Sequence, residues 1–357
     1  MNERDMTYQV GNHARIVGGM FGMPQTIADG AGDGVRDFLR GENLLLTNAR
    51  CGIHVLIEYL GCRRIWLPSY LCPSIVQCVS RSRVQVMSYA IDGALNVAIS
   101  SWLHDLQAGD LVLFIDYFGF PADDSIAAEV KAKGCYVLED ASQALLTSKR
   151  LHSADYILYS PRKFVGVPDG GILVSACGRE CPSQNLMPPP DSWWLVNLEA
   201  TIRRREFDAC GVENDWFAWY LRSKKASPVG PYRMSDVSQR LLLSAFDYDQ
   251  IANKRVENYA FLLKELVDIA LFKDLPAGVV PLGFPIRLRD RETIQKAMFN
   301  LRIYPAVHWA IGGIVAEEYA QSLDLSKQIL TLPCDQRYGQ REMDAMVRVL
   351  REHWAAC

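Results

Sequence analysis

The sequence has no apolar run approaching ~18 residues, the least that crosses a bilayer as a helix, so no membrane span is expected. It opens Met1-Asn-Glu-Arg-Asp5, without the apolar stretch of a signal peptide, which points to a cytoplasmic protein. It has no basic excess either. Net charge is −3, and the short runs Arg203-Arg204-Arg205 and Lys224-Lys225 read as solvated faces rather than a stripe for nucleic acid. Paired C-x-x-C motifs are missing as well. The closest of the ten cysteines, Cys177 and Cys181, have no histidine nearby, so neither a metal site nor a disulfide framework is expected and the thiols read as reduced and mostly buried. No internal repeat is visible.

What remains is globular. With 49% hydrophobic and 22% charged residues over 357 positions, the chain can bury a substantial core and divide into two domains. Residues 1–40 are glycine-rich around Gly18-Gly19-Met-Phe-Gly22 and again at 30–34, and read as an irregular arm that packs on something else. From residue 44 the pattern becomes strand, helix, strand. Short apolar runs at 44–47, 64–67, 84–88, 111–116, 135–139, 155–159 and 171–175 alternate with helical stretches such as 51–60, stopped by Gly61, and 123–133, opened by Asp123 and stopped by Gly134. That alternation predicts an α/β fold: a mostly parallel seven-stranded sheet covered by helices, over 41–235. A proline- and tryptophan-rich segment, 182–231, interrupts the rhythm. One long helix is expected from Ser235 to about 267, linking to a smaller α+β domain over 268–357, with strands near 279–281 and 285–288 and helices near 291–300 and 342–354.

Two segments carry chemistry. Cys135-Tyr-Val-Leu-Glu-Asp140-Ala-Ser-Gln143 ends an apolar strand in an acid with an amide three residues on, which also fits a capping box around Asp140. Tyr159-Ser160-Pro-Arg-Lys163 ends another, runs from serine to lysine, and closes in Pro168-Asp-Gly-Gly171. Ligands of open α/β sheets sit beyond the carboxyl ends of the strands, so Asp140, Ser160 and Lys163 should share one crevice. Lysine for covalent capture of a carbonyl, carboxylate for a pyridinium nitrogen and serine for a phosphate are the parts that a pyridoxal phosphate enzyme needs. Asn48-Ala49-Arg50-Cys51-Gly52 supplies the best phosphate-binding turn: it precedes an amphipathic helix, Ala49 and Gly52 are small enough for close approach, and Arg50 adds charge. Tyr70, in Leu67-Pro-Ser-Tyr70, follows a strand of the same sheet and is placed to stack on the cofactor ring.

With these residues in view, the chain resembles the DegT-like sugar aminotransferases, pyridoxal phosphate enzymes of fold type I. Further matches are Tyr117-Phe-Gly119-Phe-Pro121, Tyr232-Arg233-Met-Ser235, Tyr304-Pro-Ala-Val-His308-Trp309 and Leu330-Thr-Leu-Pro333. The resemblance implies that Lys163 holds pyridoxal 5'-phosphate as an imine, that Asp140 pairs with the ring nitrogen and that Gln143 meets the ring hydroxyl. It further implies that Ser160 and the Ala49 and Arg50 amides take the phosphate, that Tyr232, Arg233, His308 and Trp309 face substrate, and that the protein works as a homodimer. The expected activity is transfer of an amino group from an amino acid, glutamate, to a nucleotide-linked keto-sugar; the alternatives are elimination by the dehydratase branch, where a histidine replaces the lysine, or cofactor binding without turnover. The chain departs from the pattern where Asn48-Ala49-Arg50 replaces Ser-Gly-Thr or Ser-Gly-Arg, where Pro231 replaces an asparagine given by the partner subunit, and where Asp116 replaces a histidine.

Overall fold

A computed structural model describes residues 9–10, 13–14, 16–25, 36–98, 101–182 and 185–354; the glycines expected to loosen 30–34 lie outside them. Seven strands form the main sheet: β1 (Asn43–Leu46), β2 (Arg64–Pro68), β3 (Gln85–Tyr89), β4 (Leu111–Ile115), β5 (Tyr136–Asp140), β6 (Tyr156–Tyr159) and β7 (Gly171–Ser175). Their order across the sheet is β1-β7-β6-β5-β4-β2-β3. Strands β3, β2, β4, β5 and β6 run parallel, and β7 is antiparallel to both β6 and β1. One consequence decides where the site lies. The carboxyl ends of β5 and β6 and the amino end of β7 reach the same edge, so Asp140, Ser160 and the glycine pair Gly170-Gly171 gather there.

Every residue of β4 is buried, as a strand covered on both faces requires. Helix α1 (Ala49–Leu60) begins where the Asn48 side chain accepts the Cys51 N–H at 3.2 Å and ends at Gly61 in the left-handed conformation, φ 57°. It lays Cys51, Ile53, Val55 and Leu56 on the sheet. Helices α2 (Pro73–Val79) and α3 (Asp124–Ala132) follow, the latter capped by Asp123 accepting from the Ser125 N–H at 2.9 Å.

The interrupting segment is helical: α4 (Asp191–Cys210) and α5 (Trp216–Lys225) pack together, with Trp193 Nε1 donating to the Ser223 carbonyl at 2.9 Å. The single long helix expected from Ser235 is instead two, α6 (Asp236–Ser244) and α7 (Tyr248–Leu266). Ser235 caps the first by accepting from the Ser238 N–H, and Asp247 caps the second by accepting from the Gln250 N–H, so a fresh start interrupts the apolar periodicity. The smaller unit holds β8 (Phe284–Arg287), the two-residue β9 (Ile303–Tyr304), β10 (Ile329–Leu332), and helices α8 (Arg291–Asn300), α9 (Ala320–Gln328) and α10 (Gln340–Trp354). Strands β8 and β10 pair antiparallel, while the arm's Val17 and Gly18 pair parallel with β9. Residues 279–281 are not a strand. The Val280 carbonyl lies beneath Gly119, and its N–H is taken by Thr147 Oγ1 at 3.0 Å, which ties this stretch to the large domain. Tyr259 and Leu262 of α7 join Phe284, Ile286, Leu330, Met343 and Met346 in a core separate from that of the main sheet.

Candidate active site

Lys163 closes a short 3-10 turn, Pro161–Lys163, that Ser160 opens as it leaves β6; the Lys163 N–H donates to the Ser160 carbonyl at 3.1 Å. Its side chain is reached by solvent although protein surrounds it, the signature of a group at the floor of a cleft. Desolvation there lowers the pKa of the amine, Asp140 opposes the shift, and the Arg162 guanidinium adds to it. A lysine so placed loses its proton more readily than one on the surface, and the neutral amine is the form that attacks a carbonyl. Asp140 ends β5, buried, with Oδ1 accepting from the Ser142 N–H at 3.0 Å. Turns rather than a helix follow it, so the capping-box reading of Asp140 and Gln143 lapses. Gln143 Oε1 accepts the Phe118 N–H at 2.8 Å, which leaves its Nε2 as the group able to donate into the cleft.

The turn before α1 meets the glycine pair. The Gly170 N–H donates to the Thr47 carbonyl at 2.8 Å, and a Cβ on Gly171 would fall 2.2 Å from the Asn48 carbonyl carbon and 2.5 Å from the Ala49 nitrogen. Only glycine lets β7 start this close to the turn. Asp169 secures the same loop, accepting from the Ser235 N–H at 2.8 Å and from the Ser235 and Ser238 hydroxyls at the start of α6. Gly52 has a different use from the one expected. A Cβ there would meet Leu158 Cδ1 of β6 at 2.5 Å, so this glycine serves helix-on-sheet packing and not close approach to a phosphate.

Arg162, which the sequence gave no reason to single out, lies between Ser160 and Lys163, and its buried Nε has no hydrogen-bond partner among the described residues. Burial lowers its pKa, and the neighbouring Arg50 guanidinium lowers it further. Two arginines side by side at the amino end of a helix, next to a serine hydroxyl, form a cradle for a phosphate dianion.

The far wall comes from both domains. Tyr70 is fully buried; its hydroxyl donates to the His308 carbonyl, and its ring lies 5.5 Å from Trp309 and 5.9 Å from Tyr117. Buried between the two, Tyr70 braces the wall. His308 Nδ1 lies 2.9 Å from Thr331 Oγ1, and its ring packs edge-on against Phe118 and Trp309. Desolvation, then Lys163 and Lys224, push the imidazole down to about 3, so it stays neutral and cannot serve as an acid at neutral pH. The Tyr232 carbonyl accepts the Thr47 N–H at 2.9 Å, placing that segment beside the phosphate turn. Arg233 is not drawn into the cleft of its own chain: it pairs with Asp236 at 2.7 Å on an exposed face.

Behind Asp140 sit two more carboxyls. Asp116, buried, accepts the Ala122 N–H at 3.0 Å and lies 3.8 Å from Arg150. Desolvation raises its pKa to about 6 even though Glu139 and Arg150 pull it down. Glu139, also buried, is raised well above the usual range by desolvation and by the Asp116 charge. Burial and the repulsion between the two carboxyls favour a proton on Glu139.

No protein-family model and no curated protein matches the chain. Solved structures do match over most of its length. DesV from S. venezuelae, in complex with a ketimine intermediate, superposes with a TM-score of 0.66 at 15% identity, covering 89% of this chain and 86% of that one. Spr1654 from Streptococcus pneumoniae in its PLP-form gives 0.65 at 12% identity, over 87% and 86%. The sugar aminotransferase CalS13 from Micromonospora echinospora gives 0.59 at 14%, over 87% of each chain. The chain thus has the fold shared by these proteins, the fold type I architecture, with its reversed β7 and its small carboxyl-terminal domain.

Proposed function

We propose that the protein is a pyridoxal 5'-phosphate-dependent aminotransferase that moves an amino group from an amino-acid donor, glutamate, to a nucleotide-linked keto-sugar. The observation that carries this reading is the meeting of Lys163 and Asp140 from adjacent strand ends, close enough for the carboxylate to act on the amine, beside a phosphate cradle of Ser160, Arg162 and the start of α1. The cofactor, when bound, supplies an electrophilic carbonyl and a ring that accepts electrons. The chain's residues do the rest. Lys163 Nζ would be the amine that holds the cofactor's carbonyl carbon, and it would be the base that carries a proton between neighbouring carbons. Asp140 holds a proton on the ring nitrogen, and Gln143 Nε2 donates to the ring oxygen. Ser160, Arg50, Arg162 and the Ala49 and Arg50 amides anchor the phosphate, while neutral His308 and Trp309 form the wall that limits water.

The relatives' names support amine transfer on a sugar, and Lys163, where the dehydratase branch has a histidine, favours transfer over elimination. The protein is further proposed to be a cytoplasmic homodimer with sites shared between subunits, to which Tyr232 and Arg233 contribute. Supporting this are the free thiols, which suit a reducing compartment, and the exposed apolar side chains Leu195 and Phe217 on α4 and α5. The test is a half-reaction. Cofactor-loaded protein mixed with glutamate should release one equivalent of 2-oxoglutarate per chain and then return the amine to a keto-sugar nucleotide. Failure of every common amino acid to release its keto acid would overturn the proposal.

A further inference from the structure

Gln336 Nε2 donates to the Phe164 carbonyl at 2.6 Å, a bond that joins the loop between β10 and α10 to the residue after Lys163. Phe164 is fully buried, and among the described residues no backbone N–H reaches that carbonyl. Without Gln336 a buried acceptor would go unpaired. Gln336 is itself held. Its Oε1 accepts from Arg255 Nε at 2.9 Å, which fixes the amide with its nitrogen toward Phe164.

Arg255 is fully buried on α7, and Asp335, the acid that acts on it, is already paired with Arg337 at 2.8 Å. Neutral groups hold the guanidinium instead. Its Nη1 donates to the Pro281 carbonyl at 3.1 Å and the Leu282 carbonyl at 3.0 Å, and its carbon lies 4.4 Å from the centre of the Phe164 ring. A buried guanidinium held this way stabilises less than an apolar side chain of like volume would, so packing alone does not account for Arg255. Leu282 carries the link further. Its N–H donates to the Phe118 carbonyl at 2.9 Å, and the Phe118 N–H is the one taken by Gln143 Oε1. Phe118 is in the left-handed region, φ 58°, which an aromatic residue keeps only when its surroundings hold it there. The turn that carries Lys163 and the amide of Gln143 thus both trace back to one guanidinium. One helical turn on, Asn258 Nδ2 donates to the Cys334, Asp335 and Tyr338 carbonyls at 3.2, 3.2 and 3.1 Å, fixing the loop on which Gln336 sits.

Resting on the aminotransferase reading for the role of Lys163, we propose that Gln336 is a positioning residue for that lysine, with Arg255 as its support. Gln336 holds the Phe164 carbonyl, Phe164 follows directly on the turn that Lys163 closes, and the amine is thereby kept at the floor of the cleft. The bond crosses the domain junction. The small domain therefore shapes the site through more than its wall residues His308 and Trp309.

Two variants test this. Gln336→Glu keeps the acceptor for Arg255, and beside that guanidinium the carboxyl stays ionised, so only the donor to Phe164 is lost. Gln336→Ala loses both contacts, and Gln336→Glu decides should Gln336→Ala fail to fold. Full-length protein freed of cofactor is treated with acetic anhydride across a pH series. The acetylated fraction at Lys163, set against surface lysines by peptide mass spectrometry, gives the pKa of its amine. The groups that act on this amine or feel its charge, Asp140 of β5, Cys72 before α2, Arg162 of its own turn and His308 of the small domain, are the same in every protein, so a shift reports its position. Both variants should let water reach the amine and raise its pKa toward that of the surface lysines. Both should also capture pyridoxal, followed by visible absorbance, about tenfold to a hundredfold more slowly, the scale on which a misplaced reacting group loses rate. An unchanged titration and capture rate in Gln336→Glu, with only the melting temperature altered, would reduce Gln336 to a tie between domains and overturn the proposal. The two readings fail separately. A raised Lys163 pKa in Gln336→Glu, in a protein that captures no pyridoxal, would uphold Gln336 and contradict the aminotransferase, whereas an unchanged pKa with pyridoxal captured at the natural rate would do the opposite.

Discussion

At Lys163 two effects oppose each other: desolvation pushes the ammonium toward its neutral form, while Asp140 holds it charged. The balance favours a lysine less basic than a surface one, which suits carbonyl capture at neutral pH. At Arg162 burial and the Arg50 charge lower the pKa while Tyr220, Asp169 and Cys51 oppose them, and its buried Nε has no acceptor among the described residues. If a phosphate is the absent acceptor, Arg162→Gln should weaken binding of pyridoxal phosphate by about tenfold to a hundredfold, the range for one charge-assisted hydrogen bond, and leave the affinity for pyridoxal, which has no phosphate, unchanged. Equal losses for both compounds, measured by absorbance titration, would mean that the arginine acts only on the fold. Asp116 makes a pH prediction. Its pKa in the folded protein, about 6, lies above the ordinary 3.8, so the folded state keeps a proton that the unfolded chain releases between these values. Stability from this group is present below the lower value and is lost as pH rises through the upper one. Asp116→Asn removes that titration, so its Tm relative to the natural protein should rise between pH 4 and pH 7, and a difference that stays constant with pH would contradict a raised pKa at Asp116.

Among the elements, β7 governs the site most directly. Its reversal brings Gly170 and Gly171 to the edge where the other strands end, against the turn before α1. Gly171→Ala drives a methyl into backbone, 2.2 Å from the Asn48 carbonyl carbon, and neither side can yield as a flexible side chain would. Denaturant unfolding should show a loss of about 3 kcal/mol together with weaker cofactor binding; a variant as stable as the natural protein would show that the turn is free to move. The strands themselves were legible, since short apolar runs between turn signals can be little else, and each lies within a residue or two of its expected place. The direction of β7 was not legible, because an apolar run of five residues carries no sign of its polarity. Gly61 marked the end of α1, while its start lies at Ala49, two residues before the expected Cys51, because the Asn48 side chain caps it. The break between α6 and α7 was hidden by Ala245 and Phe246, which continue the apolar spacing while Asp247 starts a new helix. At the site, Asp140, Ser160 and Lys163 could be placed because each ends or follows a strand of one sheet. The burial of Tyr70 beside Trp309, and the approach of Arg50 to Arg162, depend on segments far apart in sequence, and no local pattern announces them.

For the whole molecule, the apolar side chains left in water bear on assembly. Leu195 is 57% and Phe217 52% exposed, on two helices that pack together. Burying such side chains contributes about 1.5–3 kcal/mol each, enough to favour a second copy of the chain covering them. Sedimentation should find a dimer, and Leu195→Glu/Phe217→Glu should raise its dissociation constant at least about tenfold; an undiminished dimer would place the interface elsewhere. The reading proposed for this protein places pyridoxal phosphate on Lys163, in the cleft between the sheet edge and the small domain. Borohydride reduction of the cofactor-loaded protein followed by peptide mapping tests it most directly. The account predicts a yellow protein whose colour is lost on reduction and a pyridoxyl adduct on Lys163 alone. An adduct on another lysine, or none in a protein that has taken up the cofactor, would contradict it.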